Sequence, residues 1–178
     1  MRQAGMIWLT GVPAAGKTTL AGLIAGRMAA VGVPAEILDG DAFRKAMCDD
    51  TDFSREGRAR NMRRAFEVGW LLAKNGIWAV IALVSPHRAA RQAIRALAAE
   101  RGLDFIEVHV QCPVDLARRR DPKGNYRKAL AGEIQSFTGV SSPYEEPEAP
   151  EVLVDTALLR PEDGAALVLK SVAHLMGK

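Results

Sequence analysis

Gly11-Val12-Pro13-Ala14-Ala15-Gly16-Lys17-Thr18-Thr19 has the spacing Gly, four residues, Gly-Lys and a hydroxyl residue, and this stretch decides the fold class. Ahead of it, Met6-Ile7-Trp8-Leu9-Thr10 is a short apolar run suited to a buried strand. Behind it, residues 19–30 carry Ala, Leu and Ile at helical spacing. A strand, a loop and a helix in that order aim backbone N–H groups and the positive end of a helix dipole at one point, where phosphate oxygens can sit. Nucleoside triphosphate binding is therefore the first expectation. Lys17 would reach the β- and γ-phosphates and the Thr18 hydroxyl would hold Mg²⁺, while Gly11, Ala14, Ala15, Gly16 and Thr19 complete the cradle. The alternative is an ordinary glycine turn before a helix, and the flanking elements argue against it.

Composition bounds what can be attached to this loop. With 178 residues, 48% of them hydrophobic, the chain can bury a full core, and its length suits one domain spanning 1–178. Apolar runs such as 77–84 are too short to cross a bilayer, and the first residues lack a charged region followed by an apolar signal core. The expectation is a soluble cytoplasmic protein with no membrane partner. Cys48 and Cys112 lie far apart without a metal-type pattern, which predicts two free thiols. A formal charge of +3 suits an anionic small molecule as well as nucleic acid. The arginines are spread among helical segments instead of forming a basic tail, so nucleic acid is the weaker reading.

Downstream, residues 33–38 form a second strand candidate that ends in Asp39-Gly40-Asp41. Carboxylates at the C-terminal end of a strand stand where open α/β sheets bind ligands, although Asp-Gly is also a turn dipeptide and Asp41 is placed to cap a short helix over 42–47. Phe53 is an aromatic in a polar loop, and Ser54 is placed to cap a helix over 55–74. Arg58, Asn61 and Arg64 share a face of its first turns, either as an anion-recognition surface or as a solvated basic one. The β-branched run 77–84 predicts a central parallel strand. Ser85-Pro86 predicts a capped helix to about 101, with His87 on the surface. Residues 104–112 alternate apolar and charged, as a strand near a sheet edge would, and a short helix from 114 leads into Arg118-Arg119-Arg120-Asp121-Pro122-Lys123-Gly124. That basic flap would close over a triphosphate and supply positive charge. A helix over 125–133, a proline-rich loop over 142–150, a strand over 152–154 and a helix from Pro161 complete the chain.

Taken together, these residues resemble the adenylylsulfate kinases over nearly the whole chain. The likeness rests on the phosphate loop, Leu38-Asp39-Gly40-Asp41 with Arg44, Phe53-Ser54 with Arg58, Asn61, Arg63 and Arg64, and Ser85-Pro86-His87-Arg88. It continues through Arg120-Asp121-Pro122-Lys123-Gly124, Phe137-Thr138-Gly139 and Pro143-Tyr144-Glu145. The resemblance implies transfer of the γ-phosphoryl group of MgATP to the 3′-hydroxyl of adenosine 5′-phosphosulfate (APS). It also implies an α/β P-loop NTPase fold with a five-stranded parallel sheet, helices on both faces, a lid over about 118–137, and a homodimer. Five strand candidates separated by helices support that sheet independently.

On the same resemblance, Phe53 and Phe137 sandwich the acceptor adenine, Arg44, Arg58 and Asn61 hold the phosphosulfate, and Val84 and Ser85 shape the acceptor pocket. Asp41 orients the 3′-hydroxyl, receives its proton and supports Mg²⁺ through a water, while Lys17 and Lys123 balance charge on the transferring group. The chain departs from its relatives at Pro13-Ala14, where they often carry Ser-Gly, at Asn125 in place of leucine and at Val84 in place of isoleucine. If position 14 needs φ > 0, alanine costs about 1 kcal/mol there. Two other readings remain: a kinase acting on another anionic acceptor such as a nucleoside diphosphoramidate, and a nucleotide-binding module without turnover.

Overall fold

The computed structural model describes residues 4–47 and 52–176, and its centre is a parallel sheet of five strands in the order β2-β3-β1-β4-β5. The elements are β1 Met6–Thr10, α1 Lys17–Ala30, β2 Ala35–Asp39, α2 Gly40–Met47, α3 Arg55–Lys74, β3 Trp78–Ala82, α4 Arg88–Glu100, β4 Phe105–Gln111, α5 Val114–Arg120, α6 Asn125–Leu130, β5 Val152–Asp155 and α7 Pro161–Met176. Helical crossovers between successive strands force parallel pairing, and they place helices on both faces of the sheet.

That sandwich explains why β1 is apolar throughout. Its side chains alternate between two cores, Ile7 and Leu9 packing with Ile24 and Met28 of α1 and Val168 of α7, Met6 and Trp8 packing with Phe66 of α3 and Ile94 of α4. A strand covered on both faces has no solvent side on which to place polar residues. None of the described helices is long and apolar enough to cross a membrane. Cys112 is a buried free thiol, whereas the expectation for Cys48 falls outside the described residues.

Several boundaries differ from those expected. α1 begins at Lys17 and α2 at Gly40, β2 starts two residues later and ends one later, β3 stops at Ala82, and α6 ends at Leu130. Two differences are more than boundary shifts. Ser85 does not cap α4, which starts at Arg88 after His87. Ser85 instead adopts a left-handed conformation with φ 46°, its Oγ accepting from Trp8 Nε1 at 2.9 Å and its carbonyl from Arg91 Nη1 at 2.6 Å. These tertiary bonds fix Ser85 at the end of β3 and override its local preference. His87 is buried, contrary to the surface placement expected, with Nδ1 3.6 Å from Glu145 Oε1.

The charged positions of β4 are also not on a solvent face. Glu107 is buried with Oε1 2.9 Å from Arg91 Nε and Oε2 3.0 Å from Arg95 Nη2. β4 does lie next to the edge strand β5, so the expected position holds while the reason for it fails.

The cap on α3 is as expected, with Ser54 Oγ accepting from Gly57 N at 3.0 Å. Ser54→Ala should cost about 1 kcal/mol, lowering Tm by roughly 2–4 °C for a domain of this size in a calorimetric melt.

Candidate active site

The C-terminal ends of the strands open onto a cleft of about 880 Å³. Gly11 follows β1 so tightly that a Cβ there would stand 2.3 Å from the Val110 carbonyl oxygen, which excludes any larger residue. Gly16 caps α1 at φ 103°, turning the chain so that the first N–H groups of α1 open into the cleft. Ala14 has φ 60°, the strained conformation anticipated from its sequence position. Ala14, Ala15, Gly16, Lys17, Thr18 and Thr19 all line the cleft, and Gly11 supports them from beneath.

Lys17 is buried under this loop, its Nζ donating to the carbonyls of Gly11 at 2.9 Å and Val12 at 2.8 Å. Burial draws its pKa from 10.5 down to about 8, against the opposing pull of the Asp41 and Asp39 carboxylates.

The two carboxylates after β2 are differently engaged. Asp39 accepts from the Thr18 hydroxyl at 2.6 Å through Oδ2, and from the N–H groups of Asp41 at 3.1 Å and Ala42 at 3.4 Å through Oδ1. Burial raises its pKa, but the Thr18 hydroxyl and the two amides outweigh that effect and hold Asp39 below the usual carboxylate range. Asp39 thus caps α2, a role the sequence offered to Asp41. It also stands at the Thr18 hydroxyl, where Asp41 was expected to assist. Asp41 extends into the cleft and pairs with Lys123 at 2.5 Å, which raises the Lys123 pKa.

At the other end, Phe53, Arg58, Val84 and Phe137 line the same cleft. Phe53 is about half exposed, with the Arg44 guanidinium 4.5 Å from its ring centroid. Arg58 is buried and joins the two aromatic segments, Nε donating to the Phe53 carbonyl at 3.0 Å and Nη2 to the Ser136 carbonyl at 2.7 Å. Among the described residues its Nη1 has no hydrogen-bond acceptor. Arg44, Asn61 and Ser85 do not line the cleft. Arg44 packs on Phe53, Asn61 is buried one turn beyond Arg58, and Ser85 supports Val84 from behind.

The sequence reading missed a third wall, built from Thr156, Leu159, Arg160 and Pro161 after β5. Arg120 closes it, donating to Thr156 Oγ1 at 3.0 Å and to the Thr156 carbonyl at 2.6 Å. Thr156 approaches the phosphate loop, its Cγ2 lying 3.9 Å from where a Cβ on Gly16 would be. No local motif marks these residues; a position just past a strand's C-terminal end was the available signal.

A cleft of this volume, with the glycine-rich loop at one end and two aromatic residues at the other, fits the fold class of P-loop kinases. Within that class the chain belongs to the adenylylsulphate kinase family, whose model matches residues 3–155. Adenylyl-sulfate kinase of Myxococcus xanthus is 45% identical over 172 residues, covering 96% of this chain and 92% of that protein. The Shewanella amazonensis adenylyl-sulfate kinase is 46% identical over 87% of this chain and 77% of its own length. The Mycobacterium tuberculosis APS kinase, solved in complex with AMPPNP and APS, superposes with a TM-score of 0.94 at 35% identity, covering 97% of this chain and 99% of that one.

The lowered Lys17 pKa has a measurable sign. Between about pH 8 and 10.5 the folded, ligand-free protein holds fewer protons at Lys17 than the unfolded chain, so this group makes stability rise with pH across that window. A bound triphosphate should restore the charge. Nucleotide binding at pH 8.5 is then expected to take up roughly 0.7 of a proton, read by calorimetry in buffers of different ionisation enthalpy. In Lys17→Arg, which stays charged throughout, the uptake should vanish.

Proposed function

We propose that the chain is an adenylylsulfate kinase, transferring the γ-phosphoryl group of ATP to the 3′-hydroxyl of APS to give 3′-phosphoadenosine 5′-phosphosulfate and ADP, a step of sulfate assimilation. The observation that carries this reading is that the phosphate loop and the Phe53 and Phe137 walls share one cleft, with the Asp41–Lys123 pair also lining it. The loop amides and Lys17 grip the triphosphate, and the wall around Thr156 and Arg160 receives the nucleoside end of ATP. The acceptor adenine stacks between Phe53 and Phe137, while Arg58 meets the phosphosulfate with its free Nη1 donors.

Asp41 accepts the proton of the 3′-hydroxyl as that oxygen attacks the γ-phosphorus, and the bond to the β-phosphate oxygen breaks to release ADP. Lys17 and Lys123 lie beside the charge that spreads over the transferring group. The Thr18 hydroxyl and the Asp39 carboxylate, 2.6 Å apart, are hard oxygen ligands of the kind Mg²⁺ accepts alongside phosphate oxygens. A bound Mg²⁺ would neutralise phosphate charge there. The basic stretch over 118–137 serves as the lid in this reading, since it brings Lys123 to the cleft.

A coupled assay of ADP release tests the assignment: release should depend on APS and exceed the rate with water alone. Asp41→Ala should still bind ATP while transfer falls by about 10²–10⁴-fold. Turnover unchanged in that variant would remove Asp41 from proton transfer, and APS-independent release in the parent would reject the acceptor.

A further inference from the structure

Tyr126 lies behind the wall of the cleft near the start of α6, almost wholly buried. Its hydroxyl donates to the Pro13 carbonyl at 3.2 Å, and its ring meets Phe137 edge-on, the centroids 5.0 Å apart at 80°. Its own N–H donates to Asp121 Oδ1 at 3.0 Å, which fixes the turn that carries Lys123. Gly139 packs under the phenol so closely that a Cβ there would stand 3.2 Å from the hydroxyl oxygen. One side chain therefore touches both the phosphate loop and the turn that bears the acceptor-side aromatic.

The partner atom on the loop matters. In a trans peptide the C=O and the following N–H point in opposite directions from one rigid plane. The Pro13 carbonyl is turned to Tyr126 behind the wall, so the Ala14 N–H is turned the other way, where Ala14 lines the cleft. Among the described residues that N–H has no protein acceptor. A phosphate at the Ala14 N–H and the phenol at the Pro13 C=O pull on opposite ends of one planar unit, and each polarises it in favour of the other. Burial pushes the Tyr126 phenol up to about 12, so it remains a donor at neutral pH.

The far side of Tyr126 is a turn braced by its own hydrogen bonds. Phe137 N donates to Ser141 Oγ at 3.0 Å, and Gly139 N donates to the Ser142 carbonyl at 2.8 Å. Whatever holds Gly139 and the Phe137 ring holds the whole 137–142 turn.

We propose that Tyr126 is a positioning residue that couples the two halves of the cleft: nucleotide on the phosphate loop fixes the Pro13–Ala14 peptide, and through Tyr126 that fixes Phe137 and its turn for the acceptor. The identity of the acceptor rests on the kinase reading above; the coupling itself needs only the nucleotide. By linkage it is reciprocal, so an acceptor seated on Phe137 tightens nucleotide binding by the same factor.

Hydrogen exchange with MgADP as the probe separates this from a merely structural role. In the parent protein saturating MgADP should slow exchange across 137–142 by about fivefold or more. Tyr126→Phe keeps the ring and its contact with Phe137 but loses the bond to Pro13; it should bind MgADP within about twofold of the parent and leave exchange in the turn unchanged on binding. Phe137→Leu, with the Pro13 bond and the Gly139 contact intact, should likewise bind MgADP normally and keep only part of the transmitted protection. In turnover, Tyr126→Phe should raise KM for the acceptor at saturating ATP by about the same fivefold, with kcat less affected. Protection in Tyr126→Phe equal to that of the parent overturns the proposal. So does a loss of MgADP affinity with protection at saturation intact, because Tyr126 would then brace the loop alone. Since MgADP carries no acceptor, a wrong acceptor assignment would show only in the ADP-release assay.

Discussion

The charge of Lys17 is buried beneath its own loop, and the shape of the cleft follows from keeping it there. An ammonium removed from water is costly unless its donors are satisfied. Here two loop carbonyls, at 2.9 and 2.8 Å, take two of its three donors. Those carbonyls turn inward because Gly11 is pressed against Val110 of the neighbouring strand and because the loop closes over Gly16. With its carbonyls occupied by its own lysine, the loop has its amide face left for phosphate. The flanking strands β3 and β4 hold β1 on both sides, so the strain at Ala14 sits on a support that cannot yield.

The carboxylates after β2 divide the remaining work by depth. Asp39 accepts from the Thr18 hydroxyl and two backbone amides, so its position is set by three donors. Asp41 is largely exposed and paired with Lys123, which is also more than half exposed. An exposed ion pair of this kind contributes about 0–1 kcal/mol to stability. Stability therefore does not account for a contact that joins the start of α2 to the turn before α6 across the mouth of the cleft. Both groups can be given up to a ligand at little cost to the fold, as the roles proposed for them require.

Features written in local chemistry were legible in the sequence. The strand, loop and helix around Lys17 could be read directly, as could the Ser54 cap, because each is decided within a few residues. Ser85 carries a similar local signal and was misread, since bonds to Trp8 and Arg91 from distant segments determine its conformation. β4 lies near the sheet edge as its alternation suggested, but its charge is not solvated: Arg91 and Arg95 of α4 neutralise Glu107 inside. Asp39-Gly40-Asp41 fixed the location of the carboxylates without saying which turned inward. The wall around Thr156 and Arg160 lies far along the chain from the loop it faces, and only the assembled sheet brings the two together.

The end of the cleft at Val84 is held by buried polar bonds. The strained Ser85 backbone costs of order 1–3 kcal/mol, and its surroundings over-determine it. The Trp8 indole, the Arg91 guanidinium and the Thr10 hydroxyl all bond at or beside it, Thr10 Oγ1 donating to the Val84 carbonyl at 2.9 Å. Arg91 also donates to the Glu145 carbonyl at 2.6 Å, tying the proline-rich loop to the same point. Replacing a buried ion pair with apolar residues is often neutral or stabilising, so the Arg91–Glu107 pair is poor evidence of a need for stability. Apolar side chains, however, tolerate small shifts at little cost, whereas directional bonds to Ser85 do not. The network therefore fixes where β3 ends and where Val84 meets the cleft, and that placement sets the distance between Val84 and the glycine-rich loop.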